Sequence, residues 1–491
     1  MVSVNYAPTE LLPSHAMDKK NFPQTVEGCH KLIIQLLEVT DALVARTNEL
    51  IIGIEKLEEE NKALKEQLNT NSTNSSLPPS RDKKKKKSTS PKNKGGGQKG
   101  HKGHSRKLLD SDEVDEIVSC SLSSHCECGG RIELKEEYQR HQVYELPKIK
   151  LHVTEYQLAK GQCSCCALNH VARLPEGVTW GITGPHLTSF MSHMVSKYKL
   201  SRRELVEFLK EHYGFSLSLG SVFNKQKLVN KALDEPVKEL LEQIKKSICV
   251  NMDETSHRRD GTSQWLWGMM SPKAAFFSIE KSRGRKVIHR LMEGFEHIIT
   301  SDRYAAYNYF ESNKRQVCWS HLKRDFTRIA EKKDEVIARI GKNLLRCQAE
   351  LFEVWHQFKQ GHVDWHELDF RTKHIRKQIG EYLEQGTYTD PKLRIVRFCK
   401  NLLEHFSALW TFLFIQGVEP TNNHAERCLR PAVIWRKKSF GTRSDYGSDY
   451  VAKTMSFILT CKLQARNSFE FLKESMIALF ENKASPKLIC N

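Results

Sequence analysis

Ile248-Cys-Val-Asn-Met-Asp253 is a short apolar run that ends on a carboxylate, and His297-Ile-Ile-Thr-Ser-Asp302 repeats the device 49 residues later. Between them, residues 264–270 and 274–280 read as two further strands, joined through turn signals at Asp260-Gly261 and Ser271-Pro272. Residues 285–292 have helical spacing. The order is β-β-β-α-β, with an Asp at or just past the end of the first and fourth strands. If those two strands are neighbours in one sheet, Asp253 and Asp302 become neighbours too.

That topology predicts an RNase H-like core. Two adjacent carboxylates repel unless a cation lies between them, and Mg2+ or Mn2+ takes such hard oxygen ligands readily. A third carboxylate would complete a site for two ions about 3.5–4 Å apart, suited to in-line phosphodiester displacement. The stretch Pro420-Thr-Asn-Asn-His-Ala-Glu-Arg-Cys-Leu-Arg-Pro431 supplies a candidate on a helix. Asn422 precedes Glu426 by four residues and shares its face, and Arg427 and Arg430 flank it. By itself this segment reads equally well as a solvated basic helix, and a single Asp as a cap or surface charge.

Working outward, 491 residues exceed one compact core and predict several units. A 39% hydrophobic, 28% charged composition excludes a membrane protein, and the longest apolar run, residues 409–415, falls well short of the roughly 20 residues that span a bilayer. The first 20 residues contain no apolar core of a signal peptide, so secretion is not expected. The chain carries 77 Lys and Arg against 59 Asp and Glu, a net +18. Residues 81–106 hold nine Lys, two Arg and one Asp, so +10 of that excess is local. Such a run attracts polyanions, with nucleic acid the default partner.

Toward the N-terminus, Leu36, Leu43, Leu50, Leu57 and Leu64 recur every seven residues, with Ile33, Thr40, Thr47, Ile54 and Asn61 three positions before them. Five heptads of this seam predict a coiled coil over 30–69. The alternative is a single amphipathic helix packed on its own domain. Residues 69–106, rich in Lys, Gly, Ser and Pro, predict a disordered basic tether. Six of the 14 cysteines fall within 47 residues: Cys120, Cys126, Cys128, Cys163, Cys165 and Cys166. Knuckles around His125-Cys126-Glu127-Cys128 and Cys163-Ser-Cys-Cys166, with a hairpin of strands at 142–146 and 151–158 between them, predict a structural Zn2+ site rather than free thiols. Cys163 and Cys166 form one ligand pair; in the other knuckle Cys128 is joined by either His125 or Cys126. Next, Ser201 to Gly214 and a helix beginning near Ser216 suggest a helix-turn-helix, with Ser221, Asn224 and Lys225 near its reading end. Residues 329–414 have helical spacing at Ile337, Ile340, Leu344 and Leu351 and read as a helical insertion.

Taken together, these motifs resemble the insertion-sequence 66 family of transposases, within the DDE superfamily. The resemblance runs from about residue 30 to 480. It rests on the zipper, on Asn74-Ser-Ser-Leu-Pro-Pro-Ser80 with its Gly-Gly-Gly-Gln-Lys-Gly-His continuation, and on the paired cysteines. It extends through Asp253-Glu-Thr255, Ser301-Asp-Arg-Tyr-Ala-Ala-Tyr307, Cys318-Trp-Ser-His-Leu-Lys-Arg324, Asn422-Asn-His-Ala-Glu-Arg427 and Lys453-Thr-Met-Ser-Phe-Ile-Leu-Thr460. The resemblance implies that Asp253, Asp302 and Glu426 are the catalytic carboxylates, with Asn422 supporting the Glu426 helix. It places His321 and Arg324 near the site and the DNA, where His321 alone would read as a core histidine. Two departures stand out. His125 occupies the position of the family's first knuckle cysteine, and 124 residues separate Asp302 from Glu426.

The expected class is therefore α/β multidomain. An arm (1–29), coiled coil (30–69), basic linker (70–110), zinc-finger-like domain (111–175) and helix-turn-helix-like DNA-binding region (180–240) precede an RNase H-like core (245–328 and 416–461). That core is interrupted by a helical insertion (329–415) and followed by a helical tail (462–491). The expected activity is metal-dependent cleavage of element ends and strand transfer into target DNA, by a homodimer or higher oligomer, with accessory proteins of the same element as further partners. The expected place is the bacterial cytoplasm, on the nucleoid when bound to DNA. Two rivals are a non-enzymatic zipper-and-finger regulator, which the spaced carboxylates disfavour, and a metal nuclease without strand transfer.

Overall fold

The computed structural model describes residues 23, 25–75, 82, 106–133, 139–178, 180–391 and 393–489. Nearly all of the N-terminal arm and most of the basic tether lie outside the described residues. The chain divides into two units, Met1–Lys83 and Lys84–Asn491.

In the first unit, helix α1 runs over Val26–Asn69. Its heptad leucines face solvent within the single chain: Leu36, Leu43, Leu50, Leu57 and Leu64 are all more than half exposed. Thr40 and Thr47, at the intervening seam positions, donate their hydroxyls back to the carbonyls of Leu36 (2.7 Å) and Leu43 (2.8 Å).

In the second unit, the cysteine segment contains two short strands, β1 (Lys160–Gln162) and β2 (Asn169–Val171), paired antiparallel. The hairpin predicted at 142–146 and 151–158 is absent; the described residues there have no strand structure. The physical reason is lack of cover. None of the described residues in 106–178 is buried, and Val143, Leu146 and Val153 lie in solvent. Alternating hydrophobicity does not hold a two-stranded ribbon without a surface to pack on.

Four helices follow: α2 (Pro185–Ser196), α3 (Arg202–Tyr213), α4 (Leu219–Ala232) and α5 (Asp234–Lys245). Ser201 caps α3 through the amide of Glu204, whose carboxylate returns to the Ser201 amide, and Gly214 ends it at φ 64°. The next helix is capped by Ser218 rather than beginning at Ser216. Met191, Leu205, Leu209, Leu217 and Val222 form the small core of this hairpin.

The central sheet has five strands: β3 (Cys249–Arg259), β4 (Thr262–Ser271), β5 (Ala274–Glu280), β6 (Ile298–Ser301) and β7 (Arg315–Val317), with α6 (Arg285–Leu291) between β5 and β6. The order is β5-β4-β3-β6-β7, antiparallel from β5 to β3 and parallel from β3 to β7. Strand β3 continues past Asp253 to Arg259 because β4 pairs with it along that whole length, around a tight turn at Asp260 (φ 46°) and Gly261 (φ 75°).

Two cores hold the sheet. One gathers α5, α6, α12 (Asn423–Ser439), α13 (Asp445–Leu463) and α14 (Ser468–Phe480) around Trp267, Met269, Phe277, Phe457 and Leu472. Helix α13 also closes the free edge of β5: Thr460 and Ser456 hydroxyls accept the amides of Ala275 (3.0 Å) and Phe277 (2.9 Å). The other core belongs to the predicted insertion, comprising α8 (Glu335–Lys359), α9 (Trp365–Thr387), α10 (Arg394–Glu404) and α11 (Thr411–Phe414). Ile337, Ile340, Leu344 and Leu351 are buried in it, as their spacing requires. This core begins before residue 329: α7 (Trp319–Ala330) contributes Trp319, Leu322 and Phe326, and the sheet contributes Cys249, Ile298 and Val317. Gly341 allows the crossing of α7 and α8, since a Cβ there would strike the Ala330 backbone. No helix among the described residues is long and apolar enough to cross a membrane.

Candidate functional site

The parallel β3–β6 ladder ends at the pair Asn251 with Thr300. Two residues further along each chain stand Asp253 and Asp302, which the same register brings side by side. Asp253 is deeply placed, and burial, then the charges of Glu254 and Asp302, push its carboxyl up to about 8. The Glu254 amide donates to Asp253 Oδ1 at 2.9 Å. Asp302 Oδ1 accepts the Tyr304 amide at 2.9 Å, and its main-chain carbonyl accepts Arg315 Nη2 at 2.7 Å.

Glu426 arrives from the first turn of α12. What brings that turn to the sheet is Asn422, which is fully buried. Asn422 Nδ2 donates to the Met252 carbonyl (2.8 Å), its Oδ1 accepts Asn251 Nδ2 (3.0 Å), and its amide donates to Cys318 Sγ (3.1 Å). The start of α7 is drawn to the same point: the Cys318 amide donates to the Ser301 carbonyl (2.9 Å) and the Trp319 amide to the Pro420 carbonyl (3.0 Å). Thus β3, β6, α7 and α12 meet through buried polar contacts beside the two aspartates.

His321, in the first turn of α7, places Nε2 3.7 Å from Glu426 Oε1. That oxygen is buried with no hydrogen-bond partner. Burial disfavours a proton on His321, but the Cys318 thiol beside it and the charges of Asp302 and Glu426 outweigh this and hold its pKa up to about 9. His321 therefore couples electrostatically to both the Asp302 and Glu426 ends of the cluster. Arg324 lies one turn on, half-buried. Arg427 and Arg430 are exposed on α12.

Glu254, the neighbour of Asp253, is engaged elsewhere. It is buried, accepts Tyr307 Oη at 2.7 Å and Arg283 Nε at 2.5 Å, and burial pushes its carboxyl up. Arg283 stacks over the Tyr304 ring at 3.9 Å. Arg283 and Arg315 are contacts that sequence spacing did not single out. The only signal for Tyr307 was its place in the Ser301–Tyr307 motif.

Among the described residues, no three His, Cys, Asp or Glu side chains already stand close enough to hold a metal ion. The carboxylates nonetheless suit one. Asp253 is destabilised as an anion by burial, then by the charges of Glu254 and Asp302, and Glu426 Oε1 lacks a donor, so a divalent cation between them would satisfy both.

The cysteine knuckles are preformed as turns but not as one cluster. The Cys126 amide donates to the Gly130 carbonyl (2.8 Å) and the Gly129 amide to the Cys126 carbonyl (2.9 Å), with Gly129 at φ 85°. The Cys163 amide donates to the Leu168 carbonyl (2.9 Å) and the Ala167 amide to the Cys163 carbonyl (2.9 Å), with Ala167 at φ 57°. The Cys128 backbone amide and thiol lower the pKa of Cys126, and the backbone amides of Cys166 and Cys165 that of Cys163. His125 instead turns its Nδ1 to Ser124 Oγ, 2.9 Å away. The first turn thus frames Cys126 with Cys128.

Comparison with known proteins gives three findings. Residues 24–107 match the model of a family of unknown function. A curated relative, "Uncharacterized protein y4qI" of Sinorhizobium fredii, is 22% identical over 289 residues, covering 48% of this chain. The chain spans about half (49%) of that relative's length. Residues 181–450, from the helical hairpin through the sheet, the insertion and α12 into α13, match the model described as Transposase IS66 family. With more than half of its length in that match, the chain belongs to the Transposase IS66 family.

Proposed function

We propose that the chain is a DNA transposase whose Asp253, Asp302 and Glu426 cut the ends of a mobile element and join the freed 3′-hydroxyls to target DNA. The observation that carries this reading is the convergence of β3, β6 and α12, which brings three carboxylates from distant parts of the chain into one electrostatically coupled neighbourhood. The order β5-β4-β3-β6-β7, with one antiparallel and one parallel neighbour for β3, supports an RNase H-like core.

Asp253, Asp302 and Glu426 would hold two Mg2+ or Mn2+ ions, whose chemistry is to activate a water or 3′-hydroxyl and stabilise the leaving oxygen. Asn422 keeps the Glu426 turn against β3, so the start of α12 stays anchored beside the strand that carries Asp253. His321 holds the near side of Glu426. Arg427 and Arg430, exposed beside Glu426, bind backbone phosphates. Outside this core, we read the cysteine knuckles as a structural Zn2+ site of Cys126, Cys128, Cys163 and Cys166. The exposed leucine seam of α1 is read as a zipper with a second copy.

The test is a joining assay on a target plasmid, using linear DNA that carries the sequences flanking the gene and Mg2+ as the metal. Wild type yields joined products and Asp302→Asn yields none. Equal activity of the two removes Asp302 from the mechanism. Cleavage without joining makes the protein a nuclease.

A further inference from the structure

Phe440 is held in a conformation that a bulky side chain avoids, with its ring in solvent. It ends α12 at φ 58° and is 84% exposed. A left-handed backbone is unfavourable for a residue with a side chain, and an isolated exposed ring recovers none of that cost by packing. Among the described residues, the ring has no aromatic or cationic neighbour.

The turn beneath it is fixed. The Thr442 amide donates to the Arg258 carbonyl (2.9 Å), and the Asp260 amide to the Thr442 carbonyl (2.8 Å). Thr442 Oγ1 bonds His257 Nε2 (3.1 Å) and Ser448 Oγ (2.7 Å). Gly441 lies at φ 109°, where a Cβ would run into the Arg258 carbonyl. The backbone that carries Phe440 is therefore clamped to the far end of β3, while the ring itself projects free.

A line of charge leads to it. Arg427, Arg430 and Lys437 lie at helical spacing on the exposed face of α12, and Arg443 follows the turn. None of the four is held in an ion pair among the described residues. Asn422 fastens the start of α12 at Met252, Arg436 fastens its end at Ser256, and Thr442 meets Arg258. The helix thus follows β3 from Asp253 to Arg259. Along β3 that path is six residues, about 20 Å. Along α12 from Glu426 to Phe440 it is 14 residues, about 21 Å.

We propose that Phe440 is a base-stacking wedge: it contacts a nucleobase of the bound DNA strand about six nucleotides from the phosphate held at Asp253, Asp302 and Glu426, at roughly 3.4 Å per nucleotide. The proposal rests on the transposase reading and extends it to a second point of contact on the same strand. The cations neutralise the backbone along α12, and the ring takes the place of a neighbouring base. Its rigid mounting means that little freedom is lost on stacking.

The test uses the full chain and a set of duplexes cut from the DNA flanking the gene, each with 2-aminopurine at one of the first twelve positions from the element end. Wild type should change the fluorescence most at a position about six nucleotides from the cleaved bond. Phe440→Ala should lose that signal and bind roughly tenfold more weakly, while Phe440→Trp keeps both. Phe440→Gly relieves the backbone conformation, so it folds at least as well as wild type yet loses the signal. A wild-type chain that binds and cleaves while Phe440→Ala gives the same fluorescence profile and affinity overturns the wedge alone. A wild-type chain that neither binds nor cleaves these duplexes overturns the transposase reading instead.

Discussion

The sheet with α12 and the cysteine segment both carry widely spaced, chemically committed side chains, yet they are organised by opposite means. Around the sheet, each committed residue hangs on a buried scaffold: Asn422 is fully enclosed and hydrogen-bonded to two segments, and Trp267, Trp319 and Tyr307 are completely buried. In 106–178 none of the described residues is buried, and regular structure is limited to one 3-10 turn (Ser111–Glu113), the two cysteine turns and a hairpin of three-residue strands. The first region fixes the elements that carry its carboxylates before any ligand arrives. The second needs something else to supply its core, and a bound metal does that in small domains.

The contrast can be broken at several points. Glu426→Gln should leave the fold unchanged, because Oε1 makes no hydrogen bond, while strand cleavage falls roughly a thousandfold or more. A kinetic assay with unaltered circular dichroism checks this. Asn422→Ala removes two buried side-chain contacts and leaves the Met252 carbonyl and Asn251 Nδ2 unsatisfied, while the backbone amide keeps its bond to Cys318 Sγ. It should cost about 3 kcal/mol in urea unfolding, with the loss of cleavage following from displacement of α12.

Acid should also act on the scaffold. Burial, then Lys197, lowers His193 to about 4; burial, then Arg436 and Arg259, lowers His257 to about 4. Both are neutral in the folded chain, whereas the unfolded chain takes up their protons below about 6.5. Their contribution is therefore whole above pH 6.5 and lost as pH falls from about 6.5 to about 4, on the order of 2 kcal/mol each. Urea unfolding at pH 7.5 and pH 5 measures it. Unchanged midpoints would show that these rings take up protons as readily in the folded chain as in the unfolded one.

Cys163→Ser should do least to the sheet. Its effect should appear as faster proteolysis within 106–178 and loss of bound zinc, with the main unfolding transition shifted by less than about 0.5 kcal/mol. A large shift would mean that the two regions share a core.

What could be read in advance follows the same division. The strand–carboxylate pattern of β3 and β6 and the stripe of α8 were legible because burial imposes a period on the sequence. Strand β7 was not: three residues carry no period, and its Arg315 is buried only because Ser301, Asn308 and the Asp302 carbonyl take its guanidinium. The outer half of β3 was hidden because Thr255, Ser256 and His257 look polar until β4 pairs with them. In the cysteine segment, alternation at Val143 and Val153 suggested strands where no surface exists to receive them. At the site, strand order alone pairs Asp253 with Asp302, and Glu426 stands out from a solvated basic helix only through the family resemblance, whereas the partners of Glu254, Arg283 and Tyr307, depend on a fold that joins residues far apart in the chain.

In the proposed mechanism Asp253, Asp302 and Glu426 share divalent ions. A crystal grown with Mn2+ and measured at its absorption edge tests this directly. Two anomalous peaks are expected, about 3.5–4 Å apart, at a site that Asp253, Asp302 and Glu426 would hold. Peaks elsewhere, or a density map with Glu426 turned away from an ion held by the aspartates alone, would contradict it.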